Sequence, residues 1–253
     1  MTLLKKLGLG LAAIFVIGVV ALGITYQVTG PEGPPADSAS AAALAQGPYA
    51  VGQRDMTFVD NSRPTAANGD YAGAPGRTLV TALWYPEAEV PGGSPLIIYS
   101  HGFMSNRGGG RYLAEALAAR GYVVAAADYP LSNGEAPGGP NPADVVNQPG
   151  DVSFLIDSVL ALEGEDKPFP GTVDSVRIGV AGLSLGGLTS TLAGYHPRWH
   201  DERIRAVVSI AGPAAMFTRR FFTTSAAPFL MIGGTEDAIV DFETHAAIIP
   251  ERA

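Results

Sequence analysis

Residues 176–187 read Val-Arg-Ile-Gly-Val-Ala-Gly-Leu-Ser-Leu-Gly-Gly, and the change of character inside this stretch decides the fold. VRIGVAGLS is a short, nearly continuous apolar run of the kind found in strands buried on both faces, and Leu188 to Gly194 beyond it reads as a helix. Between the two stands Gly182-Leu183-Ser184-Leu185-Gly186, a Gly-x-Ser-x-Gly pattern. Its glycines permit a tight turn that lifts a serine hydroxyl above the sheet edge and aims it at the start of the helix. In a chain with Gly 32 the bare pattern is weak, so the strand before it and the helix after it carry the reading. The plain alternative is a glycine-rich turn that only packs a helix on a strand.

The same alternation repeats on both sides. PLIIYSHG (95–102), YVVAAADYP (122–130), IRAVVSIAG (204–212) and PFLMIGGTED (228–237) are further apolar runs, most of them separated by helical segments. Arg111 to Arg120 places Leu113, Ala116 and Leu117 on one face, and Asp151 to Leu162 places Val152, Leu155, Ile156, Val159 and Leu160 at the same period. VGQRDMTFVD (51–60) and RTLVTALWYP (77–86), separated by a turn-rich segment, predict an antiparallel pair opening the sheet. The class is α/β, a mostly parallel doubly wound sheet with an antiparallel N-terminal strand pair. In such a sheet the chemistry lies at the carboxyl ends of the strands.

Two more strand ends agree with the serine turn, and with them the chain, over about Val51 to Ala253, resembles an α/β-hydrolase. His101-Gly102-Phe103 resembles the family's oxyanion loop, which implies that the backbone N–H groups of Phe103 and Leu185 hold the oxyanion. His101 itself reads as a structural histidine satisfied by backbone partners. Gly233-Gly234-Thr235-Glu236-Asp237 follows the last apolar run, where the resemblance implies the acid that orients a catalytic histidine. Asp237 is the candidate, with Glu236 as runner-up and a helix cap as the structural alternative. The signatures SHGF, DYPLSN, QPGDVSFLIDSV, GLSLGG and GTED are similar to the branch of platelet-activating-factor acetylhydrolase-like and dienelactone-hydrolase-like esterases and polyester hydrolases. That resemblance implies a carboxylic ester hydrolase using an acyl-serine intermediate, without cofactor or metal, on a small-molecule or lipid-like ester. Met216, Phe217, Phe221 and Phe222 are candidates for an acyl pocket, with core or lid packing as the alternative.

The resemblance requires a histidine after the acid, beyond one further helix and strand. Only His245 follows Asp237, and the short segment between them is too brief for those elements, so His245 is expected on the intervening helix as a solvated residue. His196 and His200 are spaced like a metal pair, but Pro197 lies between them and no carboxylate pattern completes a site. The reading is therefore of a chain incomplete at its C-terminus, lacking the last strand and helix, on the order of 50 residues. Loss of the base costs on the order of 10⁶ in turnover, so the chain by itself is expected to be nearly inert. A membrane-tethered, non-catalytic binding protein that kept the serine turn is the second reading.

Composition bounds what remains. Lys+Arg 16 against Asp+Glu 24 gives a net charge of -8, which repels nucleic acid phosphates. Cys 0 removes disulfide frameworks, thiolate zinc sites and a cysteine nucleophile. Lys5 and Lys6 precede an uncharged run from Leu7 to Tyr26, long enough as a helix to cross about 30 Å of hydrocarbon. Residues 1–29 thus read as a membrane anchor or a cleaved signal, the length favouring the anchor. Both place the remainder outside the cytoplasm, membrane-anchored in one case and secreted or periplasmic in the other. Residues 30–48 read as a flexible Pro/Gly/Ala/Ser linker and 49–253 as the hydrolase domain.

Overall fold

The computed structural model describes residue 35, residues 37–44 and residues 47–253, so the apolar run of 7–26 lies outside the described residues. Two compact units divide at Ala45/Gln46. In the first, α1 (Ala39–Leu44) forms inside residues 30–48, the stretch read as a flexible linker. Its alanine-rich sequence favours a helix, and Ser38 Oγ accepts from the Ala41 N–H at 3.1 Å to start it.

The second unit holds β1 (Val51–Asp60), β2 (Arg77–Pro86), β3 (Ser94–Ser100), α2 (Arg111–Ala118), β4 (Val123–Ala127), α3 (Gln148–Leu160), β5 (Val173–Leu183), α4 (Leu185–Tyr195), β6 (Ile204–Ile210), α5 (Arg219–Phe222), β7 (Phe229–Ile232), α6 (Phe242–His245) and α7 (Ile249–Arg252). One seven-stranded sheet runs in the order β1-β2-β4-β3-β5-β6-β7. The opening pair is antiparallel over its whole length, Val51 facing Pro86 and Asp60 facing Arg77, as the two strand-like runs around a turn-rich segment predict. β2 also lies antiparallel to β4, and every later neighbour is parallel. This is the α/β-hydrolase arrangement.

Apolar continuity translates into burial where a strand has helices on both faces, and all of β4 is buried. β7 departs from that rule: its burial alternates, with Leu230 and Ile232 exposed, because it is the sheet's edge among the described residues. Two layers of core result. The larger gathers Leu79, Leu96, Ile98, Val152, Leu155, Ile156, Val180 and Leu192, and the smaller gathers Trp84, Tyr99, Val124, Ala114 and Ala118. α3 buries Val152, Leu155, Ile156 and Val159, the face read from its period. α2 buries Ala114 and Ala118 while Ala116 is exposed, so the expected face is turned. Small residues one helical turn apart let this short helix approach the sheet closely, with Leu113 and Leu117 only packing along its flanks.

α3 is held to the sheet by charge as well. The buried Arg77 of β2 donates from Nε and Nη2 to Asp151 at 2.7 Å each and from Nη2 to Asp144 at 2.8 Å. Arg63 Nη2 donates to the same Asp151 Oδ1 as Arg77 Nε, at 2.7 Å, while its Nε holds Asp60 at 2.7 Å. Paired in this way, the Arg77 guanidinium is held charged by its two carboxylates despite burial.

Candidate active site

The carboxyl ends of β3, β5, β6 and β7 lie side by side. Ser100 faces Gly182, Leu183 faces Ile210, and Ile210 faces Ile232. All three non-glycine residues with positive φ among those described stand just beyond three of these ends: Met104 at 62°, Ser184 at 53° and Ala211 at 49°. Backbone strain of this kind survives only where surrounding contacts over-determine it.

Ser184 is the sharpest case, with φ 53° and ψ -116° between the end of β5 and the first residue of α4. Its N–H donates to the Ile210 carbonyl at 2.8 Å and its carbonyl accepts from the Leu188 N–H at 3.1 Å. The side chain makes no capping bond and remains half-buried. The flanking glycines are demanded by space: a Cβ on Gly182 would overlap the Gly186 carbonyl, and one on Gly186 would overlap the Ser100 carbonyl. The helix begins at Leu185, earlier than the sequence suggests, because the two glycines pack inside its first turn. Leu185 N–H therefore sits at a helix N-terminus, where backbone donors and the helix dipole favour negative charge.

The loop after β3 closes on this turn. A Cβ on Gly102 would lie 3.3 Å from the Leu183 carbonyl and 3.6 Å from Ser184 Cβ, so the next N–H, of Phe103, belongs to the same corner. Neither Phe103 N–H nor Leu185 N–H donates to a protein acceptor among the described residues. Two unspent donors beside one hydroxyl are what an oxyanion needs. The loop is held from behind by His101, whose Nδ1 lies 2.7 Å from the Gly102 carbonyl and whose Nε2 accepts from the Tyr129 N–H at 3.2 Å. That pairing assigns the proton to Nδ1, and burial holds the imidazole below its ordinary pKa. His101 is thus committed to the loop.

Asp237 stands after β7, two strands across from Ser184, which at ordinary strand spacing is about 10 Å within the sheet. Its Oδ1 accepts from the N–H groups of Ile239 and Val240 at 2.9 and 3.0 Å. The Val240 and Ile239 backbone donors hold the carboxyl below the usual carboxylate range, leaving it ionised. Glu236 beside it is exposed.

His245 occupies α6 as its position suggests, but it is half-buried rather than solvated. Nδ1 accepts from the N–H groups of Ala214 and Ala215 at 2.9 and 3.1 Å. With Nδ1 an acceptor, the proton is on Nε2, which leaves neither a donor for Asp237 at Nδ1 nor a base at Nε2. His196 stacks on Trp199 at 3.7 Å between centroids, and His200 Nδ1 lies 3.0 Å from the His196 carbonyl. No cluster able to hold a metal ion stands among the described residues.

Of the four candidate pocket residues, Phe217 and Phe222 are buried, and Phe221 stacks on Phe217 at 4.1 Å. Both Phe221 and Phe222 pack on Tyr195. This aromatic cluster is core, and Met216 is exposed apart from it. Phe222 also walls a groove of about 480 Å³ with Phe229, Met231 and Ile249.

Comparison with known proteins agrees with this fold. The family model described as PETase: PET hydrolase-like matches residues 28–252. Among solved structures, the chain is similar to a ferulic acid esterase from Streptomyces cinnamoneus, at 26% identity and a TM-score of 0.54, over 72% of this chain and 64% of that one. No curated protein matches. The family match runs through the β3 loop, the serine turn and the acid alike, and on that breadth the chain belongs to the PET hydrolase-like family of α/β-hydrolases.

Proposed function

We propose that this protein is a carboxylic ester hydrolase working through an acyl-serine intermediate at Ser184. The observation that supports this best is the strained turn that sets the serine beside two unspent N–H groups. Ser184 Oγ attacks the ester carbonyl as a histidine takes its proton, and the carbonyl oxygen, now negative, is held by the Phe103 and Leu185 N–H groups. Collapse expels the alcohol with that proton, and water then releases the acid by the same path. Asp237 orients the histidine. No described histidine is free for that part, so the proposal places it beyond residue 253 and takes the present chain as nearly inert alone.

In a chain extended past residue 253, Ser184→Ala is expected to abolish turnover of a short p-nitrophenyl ester and labelling by a fluorophosphonate, with the melting temperature nearly unchanged. The 253-residue chain is expected to turn over several orders of magnitude more slowly than the extended one. Robust turnover by the shorter chain that vanished in His245→Ala would overturn the assignment. A genuine lack of activity in every longer form would favour the non-catalytic binding protein.

The proposal places this domain on the extracytoplasmic side of a membrane, tethered by the apolar run 7–26. The protein is expected to pellet with membranes and resist carbonate extraction. Recovery of a soluble exported form beginning between Ala21 and Gln46 would instead identify a cleaved signal.

A further inference from the structure

Behind the two oxyanion donors runs a buried chain of hydrogen bonds that the catalytic residues do not include. Met104 N–H, next in sequence to Phe103, donates to the Ser132 carbonyl at 3.0 Å. Ser132 Oγ accepts from Gln148 Nε2 at 2.8 Å. Gln148 Oε1 accepts the one proton of the Thr189 hydroxyl, and Thr189 stands on α4 one turn beyond Leu185, the second oxyanion residue. Ser132, Gln148 and Thr189 are fully buried, each at 0% exposure.

We propose that Gln148 is a positioning residue that fixes the separation of the two oxyanion donors, reaching the β3 loop through Ser132 and the first turn of α4 through Thr189. This rests on Ser184 being the nucleophile. The two donors come from different elements, one on a loop with a strained Met104 and one on a helix, and no direct bond between Phe103 and Leu185 couples them. The link requires one side chain that donates at one end and accepts at the other, which a primary amide does and a carboxylate or an apolar group does not. Gln148 opens α3, yet α3 is anchored independently by Asp151 on Arg77 and Arg63. The helix therefore keeps its seat when the amide is removed, and the donors lose their common reference. Displacements under 1 Å at such donors suffice to slow a reaction strongly.

The 253-residue chain supplies the test. Phosphonylation of Ser184 by a fluorophosphonate forms the Oγ–P bond, breaks P–F and releases the serine proton to solvent hydroxide. It is slow without a base, but oxyanion donors still accelerate it, by about 10³ to 10⁴ over water in a triad lacking one member. Intact-mass kinetics at several reagent concentrations separate the maximal rate kinact from the binding constant KI. Gln148→Met is expected to lower kinact about tenfold to a hundredfold with KI within about twofold. Thr189→Val is expected to act in the same direction, and the double variant to add little, because both cut one link. Gln148→Glu is expected to recover toward the unaltered chain as pH falls, since a protonated carboxyl again donates to Ser132 while accepting from Thr189.

Unchanged kinact in both Gln148→Met and Thr189→Val, with circular dichroism intact, would overturn the relay while leaving Ser184 as nucleophile. Should Gln148→Met fail to fold, Thr189→Val decides alone. Equal labelling of the unaltered chain and of Ser184→Ala, or absence of adduct on Ser184 in a chain extended past residue 253, would overturn the nucleophile and the relay together.

Discussion

A proton has nowhere to go on His101. Nδ1–H is spent on the Gly102 carbonyl and Nε2 on the Tyr129 N–H, so protonating the ring turns an acceptor into a donor facing a donor. Burial lowers the pKa of the folded state below the ordinary value of 6.5. Between the two values the unfolded chain binds more protons, so stability is complete above about pH 6.5 and falls as pH drops below it. Thermal unfolding between pH 8 and pH 5 is expected to show this loss, and His101→Asn is expected to flatten it at a lower plateau. An equal pH slope in the variant would place the titration elsewhere. At this scale the turn at Ser184, the loop at Phe103 and the acidic residue Asp237 were legible as local patterns at strand ends, and the roles proposed for them come from the family resemblance. Gln148 was visible only as part of a signature, since its partners lie 16 and 41 positions away.

Elements are joined here as much by buried charge as by apolar contact. Arg77 ties β2 to α3, and its Asp144 and Asp151 partners have side-chain exposures of 1% and 0%. Substituting Arg77→Met leaves two buried carboxylates with only Arg63 near one of them, at an expected cost of about 3 to 5 kcal/mol in urea unfolding. Arg111→Ala, which breaks an exposed pair with Glu115, is expected to change stability by less than about 0.5 kcal/mol. Comparable losses in the two variants would show that the Arg77 network contributes nothing special. The period of α3 was readable because one of its faces carries Val152, Leu155, Ile156 and Val159, and the β1/β2 pair because two strand-like runs flank a turn-rich segment. The turned face of α2 was not, because alanines at 114, 116 and 118 look alike until the sheet selects which of them it meets.

Over the whole molecule, the described sheet ends at β7 with an open edge and with Leu230 and Ile232 exposed at 52% and 47%. An unpaired apolar edge strand is a template for pairing with another chain. Sedimentation of residues 47–253 is expected to show concentration-dependent association that Leu230→Lys with Ile232→Lys suppresses, and an unchanged monomer at all concentrations would refute it. The sequence by itself determined the class of fold, the order of its strands and helices, the glycine-flanked turn at Ser184 and the acidic residue after the last apolar run. Each of these depends on residues within one element or one turn, where hydrophobic period and glycine sterics act locally. Only the tertiary structure decided that His245 has its Nδ1 committed to Ala214 and Ala215, that the phenylalanines after β6 are core, and that Gln148 hydrogen-bonds Ser132 on one side and Thr189 on the other. Those facts depend on hydrogen bonds and contacts between residues far apart in the chain, and they come into being when the sheet stacks its elements together.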